Sequence, residues 1–355
     1  MEIGIQYQKE LELEKIKEAG FQHLEVPYNL LDVVDADVLG IILKADDISG
    51  EILQEAISKA EQSGASYIVL DTQGMRDASG LCAAVTSIVE QIRSSTVEIY
   101  IENGYAEMKD GSYVNCIFSE TDTLRQMIEE YNALVGSERF GICINVGYTN
   151  LVNRNIRVMI EELGDLVKLI HASDNDAIHN EHQMPCTFSK SREDATSTDW
   201  YRIIGALIQR NYAGWLVFDA TGLFKRIPLA LQSTMLDFLM KLGEEWEERF
   251  HIEELLNQPD KVLILFGAGK MARNYLMAWG EKYPPAFLVD NNSKIWGEER
   301  YGYPVKSPED ILMITSEMRN VWICNLHYDS LGEQLQKMGI EYQCYYDWYY
   351  LMEGA

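Results

Sequence analysis

Short apolar runs alternate with amphipathic stretches through roughly the first two thirds of the chain. Eight runs read as strands: 3–7, 23–26, 38–43, 67–71, 97–102, 140–145, 167–171 and 215–219. Between them, apolar positions recur at helical spacing over 9–19, 49–63, 78–94, 120–135, 151–162, 199–210 and 228–248. The piece between the second and third strands is too short for a convincing helix. Strands alternating with helices imply parallel β/α units joined by right-handed crossovers. Eight such units predict an α/β fold, a (β/α)8 TIM barrel over residues 1–248, in preference to an open doubly wound sheet. The acidic stretch 249–260 reads as a connector. Beyond it a fresh pattern begins, with strands at 262–266, 287–290 and 321–324 and helices at 270–280 and 330–338. This predicts a small doubly wound, Rossmann-like unit over 261–355.

Charge narrows the partners. The 355 residues carry 30 Lys and Arg against 56 Asp and Glu, a formal charge of −26. So acidic a surface repels phosphate backbones and anionic headgroups, which argues against nucleic acid and membrane as partners. The six cysteines are scattered without a C-x-x-C, the usage of reduced thiols in a cytoplasmic protein. The start, MEIGIQYQKE, lacks the pattern of a signal peptide. The longest apolar runs, such as VLGIIL (38–43), are too short to span a bilayer.

Side-chain alternation then picks out chemistry. In VEIYIEN (97–103) the isoleucines share the helix-packing face, so Glu98, Tyr100 and Glu102 point into the barrel. The same parity puts Glu25, Asp71, Asn145, His171 and Asp219 inward at their strand ends. The C-terminal tips of such a barrel carry its active site. Carboxylates facing one cavity need a cation, shared protons, or basic loop residues; Arg76, Arg154, Lys190, Arg192 and Lys225 follow these strands. The loop HASDNDAIHNEHQMP (171–185) adds Asp174, His179 and His182 as metal or substrate ligands. Taken singly, each of these residues could equally cap a helix or bind loop backbone.

The segments IYIEN (99–103), GICINVGY (141–148), IHASDNDAIHNEHQMP (170–185) and DWYRIIGALIQRNYAGWLVFD (199–219) resemble the xylose isomerase-like barrels, among them sugar and sugar-phosphate isomerases and epimerases. The resemblance implies a divalent metal (Mn, Mg, Co or Zn) held at Glu102, Asn145, His171 and Asp219. It further implies Glu102 and Asp219 as the carboxylates that move a proton between adjacent carbons of a carbohydrate or polyol. Glu25, Asp71, Asp174 and His182 would bind the substrate. Three positions depart from the pattern: Asn145 stands for Asp, Tyr148 where His often follows, and Asp219 for Glu. Fewer and shorter anionic ligands weaken a cation site. A barrel that only binds a carbohydrate or nucleotide-sugar, in a regulatory role, is therefore the alternative. An endonuclease IV-type nuclease is disfavoured by the charge.

In the second unit, Gly267-x-Gly269-x-x-Ala272 follows a strand and opens a helix, and Asp290 ends the next strand. That is the setting of a dinucleotide fingerprint, which assigns Gly267, Gly269, Lys270, Asp290 and Asn291 to a nucleotide or NAD-type ligand. A glycine turn serving packing alone is the other reading. FGAGK, VDNNSKIWG (289–297) and YGYPVKSPED (301–310) resemble small Rossmann-like domains attached to sugar-modifying proteins. No hydride-transfer residue stands out. The aromatic tail EYQCYYDWYYLM (341–352) suits packing on its own unit, with a homo-oligomer contact as the alternative.

Overall fold

The computed structural model describes residues 1–188 and 198–345 and divides into two compact units, Met1–Phe250 and a second beginning at His251. In the first, eight strands are all parallel: β1 (Glu2–Gln6), β2 (Leu24–Pro27), β3 (Val38–Lys44), β4 (Tyr67–Asp71), β5 (Glu98–Glu102), β6 (Phe140–Asn145), β7 (Val167–Ala172) and β8 (Trp215–Phe218). They close into a barrel in the order β1-β8-β7-β6-β5-β4-β3-β2. Closure leaves no open sheet edge and gathers eight strand ends around one mouth.

One interior layer consists of Leu39, Ile42, Tyr67, Val69, Tyr100, Cys143, Leu169 and Val217. The Tyr67 and Tyr100 rings stack there at 4.9 Å and floor the mouth. Gly40 makes room for them, because a Cβ at that position would lie 2.2 Å from the Tyr67 ring. An alanine would force the stack to shift, at a cost of about 1–3 kcal/mol.

The helices between the strands start and stop on legible signals. Gly50–Ser63 begins where the Ser49 hydroxyl accepts the Ile52 N–H at 3.3 Å and ends at left-handed Gly64. Thr121–Val135 likewise ends at left-handed Gly136. Three expected helices differ. Residues 78–94 form two pieces, Ser79–Ser87 and Val89–Ser94, broken at Ile88. The helix expected over 151–162 starts only at Ile156 and runs to Leu163, and a separate short helix, Val146–Leu151, precedes it directly after β6. Asn145 caps the short helix directly from the strand tip, left-handed Asn153 interrupts, and Asn155 caps the longer one. The segment 9–19 is helical only over Leu13–Glu18, and a 3-10 turn, Tyr28–Val33, bridges β2 and β3.

The second unit holds six strands: β9 (Val262–Phe266), β10 (Phe287–Val289), β11 (Glu299–Arg300), β12 (Tyr303–Lys306), β13 (Arg319–Ile323) and β14 (Gln343–Cys344). Their order is β11-β12-β10-β9-β13-β14, parallel except for the β11/β12 pair. Alternate residues of β9 serve opposite faces. Leu263 and Leu265 pack with Met271 and Tyr275 of helix Lys270–Trp279, and Ile264 and Phe266 with Leu331 and Leu335 of helix Tyr328–Lys337. The stretch expected as a connector contains a helix, Ile252–Leu256, whose Leu256 joins the first of these clusters. None of the six cysteines forms a disulfide. Among the described residues no helix is long and apolar enough to cross a membrane.

Candidate functional site

The strand tips deliver their polar residues to the barrel mouth because each follows an alternating apolar strand and shares the inward parity. Glu25, Glu102, Asn145, His171 and Asp219 are each at most 2% exposed. His171 is the hub. Its Nδ1 lies 2.5 Å from Glu102 Oε1 and its Nε2 2.8 Å from Glu25 Oε1. Burial alone would strip the proton from this imidazole, but neighbouring Cys143, Glu25 and Glu102 outweigh it and raise its pKa well above the usual value. The Gln6 amide also donates to Glu25, at 3.4 Å.

Asn145 locks the other side of Glu102. Its Nδ2 donates to Glu102 Oε1 at 2.9 Å, while its Oδ1 accepts from the Tyr148 N–H at 3.1 Å and from Ser173 Oγ at 3.0 Å. The Asn145 N–H donates to Asn103 Oδ1 at 2.6 Å. A second pair joins the end of β8 to the loop after β7, where His182 Nδ1 lies 2.5 Å from Asp219 Oδ2. Burial would raise the Asp219 pKa; the His182 charge and hydrogen bond, helped by His171 and Thr221, overcome it and bring the carboxyl down to about 2. The His182 pKa rises in return, with Glu102 and Asp71 adding to the effect of Asp219. Asp71 is pushed the opposite way, to about 7, first by burial and then by the charge of Glu102. These mutual influences place both histidines and the carboxylates in one electrostatic environment.

Aromatic side chains wall the mouth. The Tyr148 hydroxyl donates to Gln73 Oε1 at 3.1 Å, and its ring meets His182 edge-on at 5.7 Å and Tyr105 at 5.1 Å. Tyr105 accepts from the Asn180 amide at 2.9 Å.

The remaining expected residues fall elsewhere. Asp174 is fully buried and accepts the N–H groups of Asn175 and Phe188 at 2.9 and 3.2 Å; burial lifts its pKa to about 6. It therefore braces its own loop. His179 is exposed and bonds Asp176 at 2.8 Å. Arg154 pairs with Glu120, and Arg76 and Lys225 are exposed. Lys190 and Arg192 lie outside the described residues, as does the aromatic tail from residue 346 onward. Among the described residues no Lys or Arg forms an ion pair with Glu25, Asp71, Glu102 or Asp219; the cationic partners are His171 and His182.

Two buried residues that the sequence reading passed over continue the inward parity of their strands. Gln8 follows β1 with the parity of Gln6 and is 6% exposed, yet neither atom of its amide has a hydrogen-bond partner. Extending the alternation past the strand end would have found it. Cys143 shares the inward parity of Asn145 and lies with Glu102 and His171, their ligand atoms all within 4.8 Å of one another. Its thiol pKa is raised, chiefly by burial.

The divalent cation implied by the resemblance can be judged against these donors. His171 Nε2 tied to Glu25 is the arrangement that orients a metal-binding imidazole, and an ion at Nδ1 would displace the proton now shared with Glu102. Glu102 and His171 therefore fit. Asn145 turns its amide nitrogen toward Glu102 and commits its oxygen elsewhere, and Asp219 holds His182.

In the second unit, Gly267 (φ +128°) lets the chain pass the Cys324 carbonyl, which a Cβ would approach to 2.2 Å. Gly269 caps helix Lys270–Trp279, and Lys270 is exposed. Asp290 accepts the Ala268 N–H at 3.1 Å through Oδ2 and the Asn292 N–H at 2.8 Å through Oδ1. Asn291 exchanges hydrogen bonds with Gln334 at 2.8 and 3.0 Å. The acid expected to bind a ribose thus holds the glycine turn and its own loop.

No protein-family model matches the chain, and no curated protein is significantly similar to it. Among solved structures it is similar to a D-psicose 3-epimerase determined in the presence of D-fructose, at 13% identity and a TM-score of 0.50 over 68% of this chain and 98% of that one. It is also similar to an L-ribulose 3-epimerase, at 17% identity and a TM-score of 0.50 over 74% of this chain and all of the other. At these identities the likeness is one of barrel fold.

Proposed function

We propose that the barrel is an isomerase or epimerase that moves a proton between adjacent carbons, or between the two faces of one carbon, in a small sugar, polyol or sugar phosphate. The observation that carries this reading is the buried Glu25–His171–Glu102 chain facing the same electrostatic environment as the Asp219–His182 pair. The epimerase activity of the two barrels of similar fold supports the substrate class.

The roles follow from the geometry. Glu102, hydrogen-bonded to Asn145 and His171, takes the proton from the carbon beside the carbonyl. The bonding electrons move toward the carbonyl oxygen, where His182 supplies a proton. Glu102, now carrying that proton, returns it to carbon while the oxygen's proton goes back to His182; Asp219, ionised at any pH above about 2, holds His182 in its charged form. Asp71, with a pKa of about 7, is partly protonated at neutrality and donates to a substrate hydroxyl. A divalent cation held by Glu102 and His171 would polarise the substrate oxygens. The Tyr105 and Tyr148 rings offer apolar faces to the sugar's C–H groups.

The test is incubation of the full chain with a panel of ketoses and their phosphates in D2O, with and without divalent metals. Epimer formation or deuterium incorporation at carbon is expected, falling at least about 100-fold in Glu102→Gln. Thermal stabilisation by a sugar with no turnover under any condition would overturn the reading in favour of a carbohydrate-binding protein.

A further inference from the structure

The interior face of β6 offers the mouth a donor of a different kind from the carboxylates around it. Cys143 stands opposite Glu102 in the β5/β6 register, is fully buried, and shares a cluster with Glu102 and His171. A buried cysteine is ordinarily a small apolar core residue. This one differs, because its ligand atom falls within 4.8 Å of both a carboxylate oxygen and an imidazole nitrogen. Asn145, two residues further along, has its oxygen engaged by Tyr148 and Ser173. The three donors gathered at this point are therefore one oxygen, one nitrogen and one sulfur.

We propose that Glu102, Cys143 and His171 form a three-donor cation site selective for a thiophilic divalent ion, Zn(II) or Co(II), over Mg(II) and Mn(II). The inference rests on the proposed function only for the use of a cation at this mouth. Hard cations such as Mg(II) need several oxygen ligands, and this cluster supplies one carboxylate. Binding would release the protons that Cys143 and His171 hold, and the resulting thiolate, imidazole and carboxylate suit zinc, whose catalytic sites pair three protein ligands with an open fourth position for water or substrate. The orienting partners are already in place: Glu25 holds His171 Nε2, and the Asn145 amide holds Glu102.

The experiment strips the full-length protein with a chelator and titrates it with Co(II). One equivalent should produce a thiolate-to-cobalt charge-transfer band in the near ultraviolet. Zn(II) should abolish that band, and a large excess of Mg(II) should leave it in place. Cys143→Ser should lose the band and bind Zn(II) at least 10-fold more weakly; Cys143→Ala, which suits the apolar layer, repeats the measurement if the serine variant misfolds by circular dichroism. Cobalt bound without the band, a band that survives both variants, or no Co(II) or Zn(II) binding each overturns the inference. Sugar turnover is scored separately on the wild-type chain. Turnover with Mg(II) or Mn(II) and no thiolate band sinks this site alone, whereas the band without turnover of any sugar sinks the proposed function alone.

Discussion

Replacing Asp71 by Asn should make the barrel more stable at neutral pH. The carboxyl is 7% exposed, and burial together with the charge of Glu102 raises its pKa from 3.8 to about 7. Below pH 3.8 it is protonated in both folded and unfolded chains and costs nothing. As the pH rises toward 7, the unfolded chain releases the proton while the folded one keeps it, so stability falls by about 1.4 kcal/mol per pH unit. Above 7 both forms ionise and the penalty levels off, after a gap of roughly three units, near 4 kcal/mol. The Asp71→Asn exchange removes the titration and keeps the oxygen that accepts the Gln73 N–H at 2.9 Å. The midpoint of thermal unfolding should then rise by on the order of 10 °C at pH 7.5, and by little at pH 4. Unfolding of both proteins, followed by circular dichroism across pH 4–8, measures the difference. A gain in Asp71→Asn that does not grow with pH, or a loss at pH 7.5, would refute the assignment of a strained, proton-carrying acid at this strand tip.

Gln8→Leu should stabilise the fold by about 1–3 kcal/mol, because it removes a buried amide without partners, while raising the KM for the sugar; a less stable variant with unchanged KM would show that the amide is satisfied. His182→Ala should cost about 2–4 kcal/mol at neutral pH by leaving Asp219 buried alone. Asp219, lowered to about 2, adds stability above about pH 4 that is lost as the pH falls toward 2, so the two proteins should converge in acid denaturation. Gly267→Ala should destabilise the second unit by about 2 kcal/mol or more, since φ is +128° and the new Cβ would strike the Cys324 carbonyl. Hydrogen exchange should quicken over 262–345 and stay unchanged over 1–250.

The barrel was legible because its eight strands are short, apolar and separated by helical spacing, a pattern few folds share. The ring of Glu25, Glu102, Asn145, His171 and Asp219 was legible for a related reason, since parity alone separates faces on a strand. What the sequence concealed is pairing. Nothing in the letters shows that His171 joins Glu25 to Glu102, that His182 turns to Asp219, or that Asn145 faces Glu102 with nitrogen rather than oxygen. Cys143 sits in the apolar run FGICIN and reads as core. Asp290 has the spacing of a ribose-binding acid, and the letters do not show that each of its oxygens also accepts a backbone N–H, contacts set by loop geometry. The late start of the helix expected over 151–162 was foreshadowed by Asn153 and Asn155, residues that favour left-handed and capping positions.

Asn145 ends a strand, starts a helix and grips Glu102. Aspartate would cap that helix equally well, so the scaffold alone would tolerate the exchange. Its second oxygen, however, would replace a donor with a negative charge at hydrogen-bonding distance from Glu102. A descendant of this chain could acquire that acid only in company with a bound ion or a shared proton to neutralise it, which ties the history of one side chain to the charge its neighbours can hold.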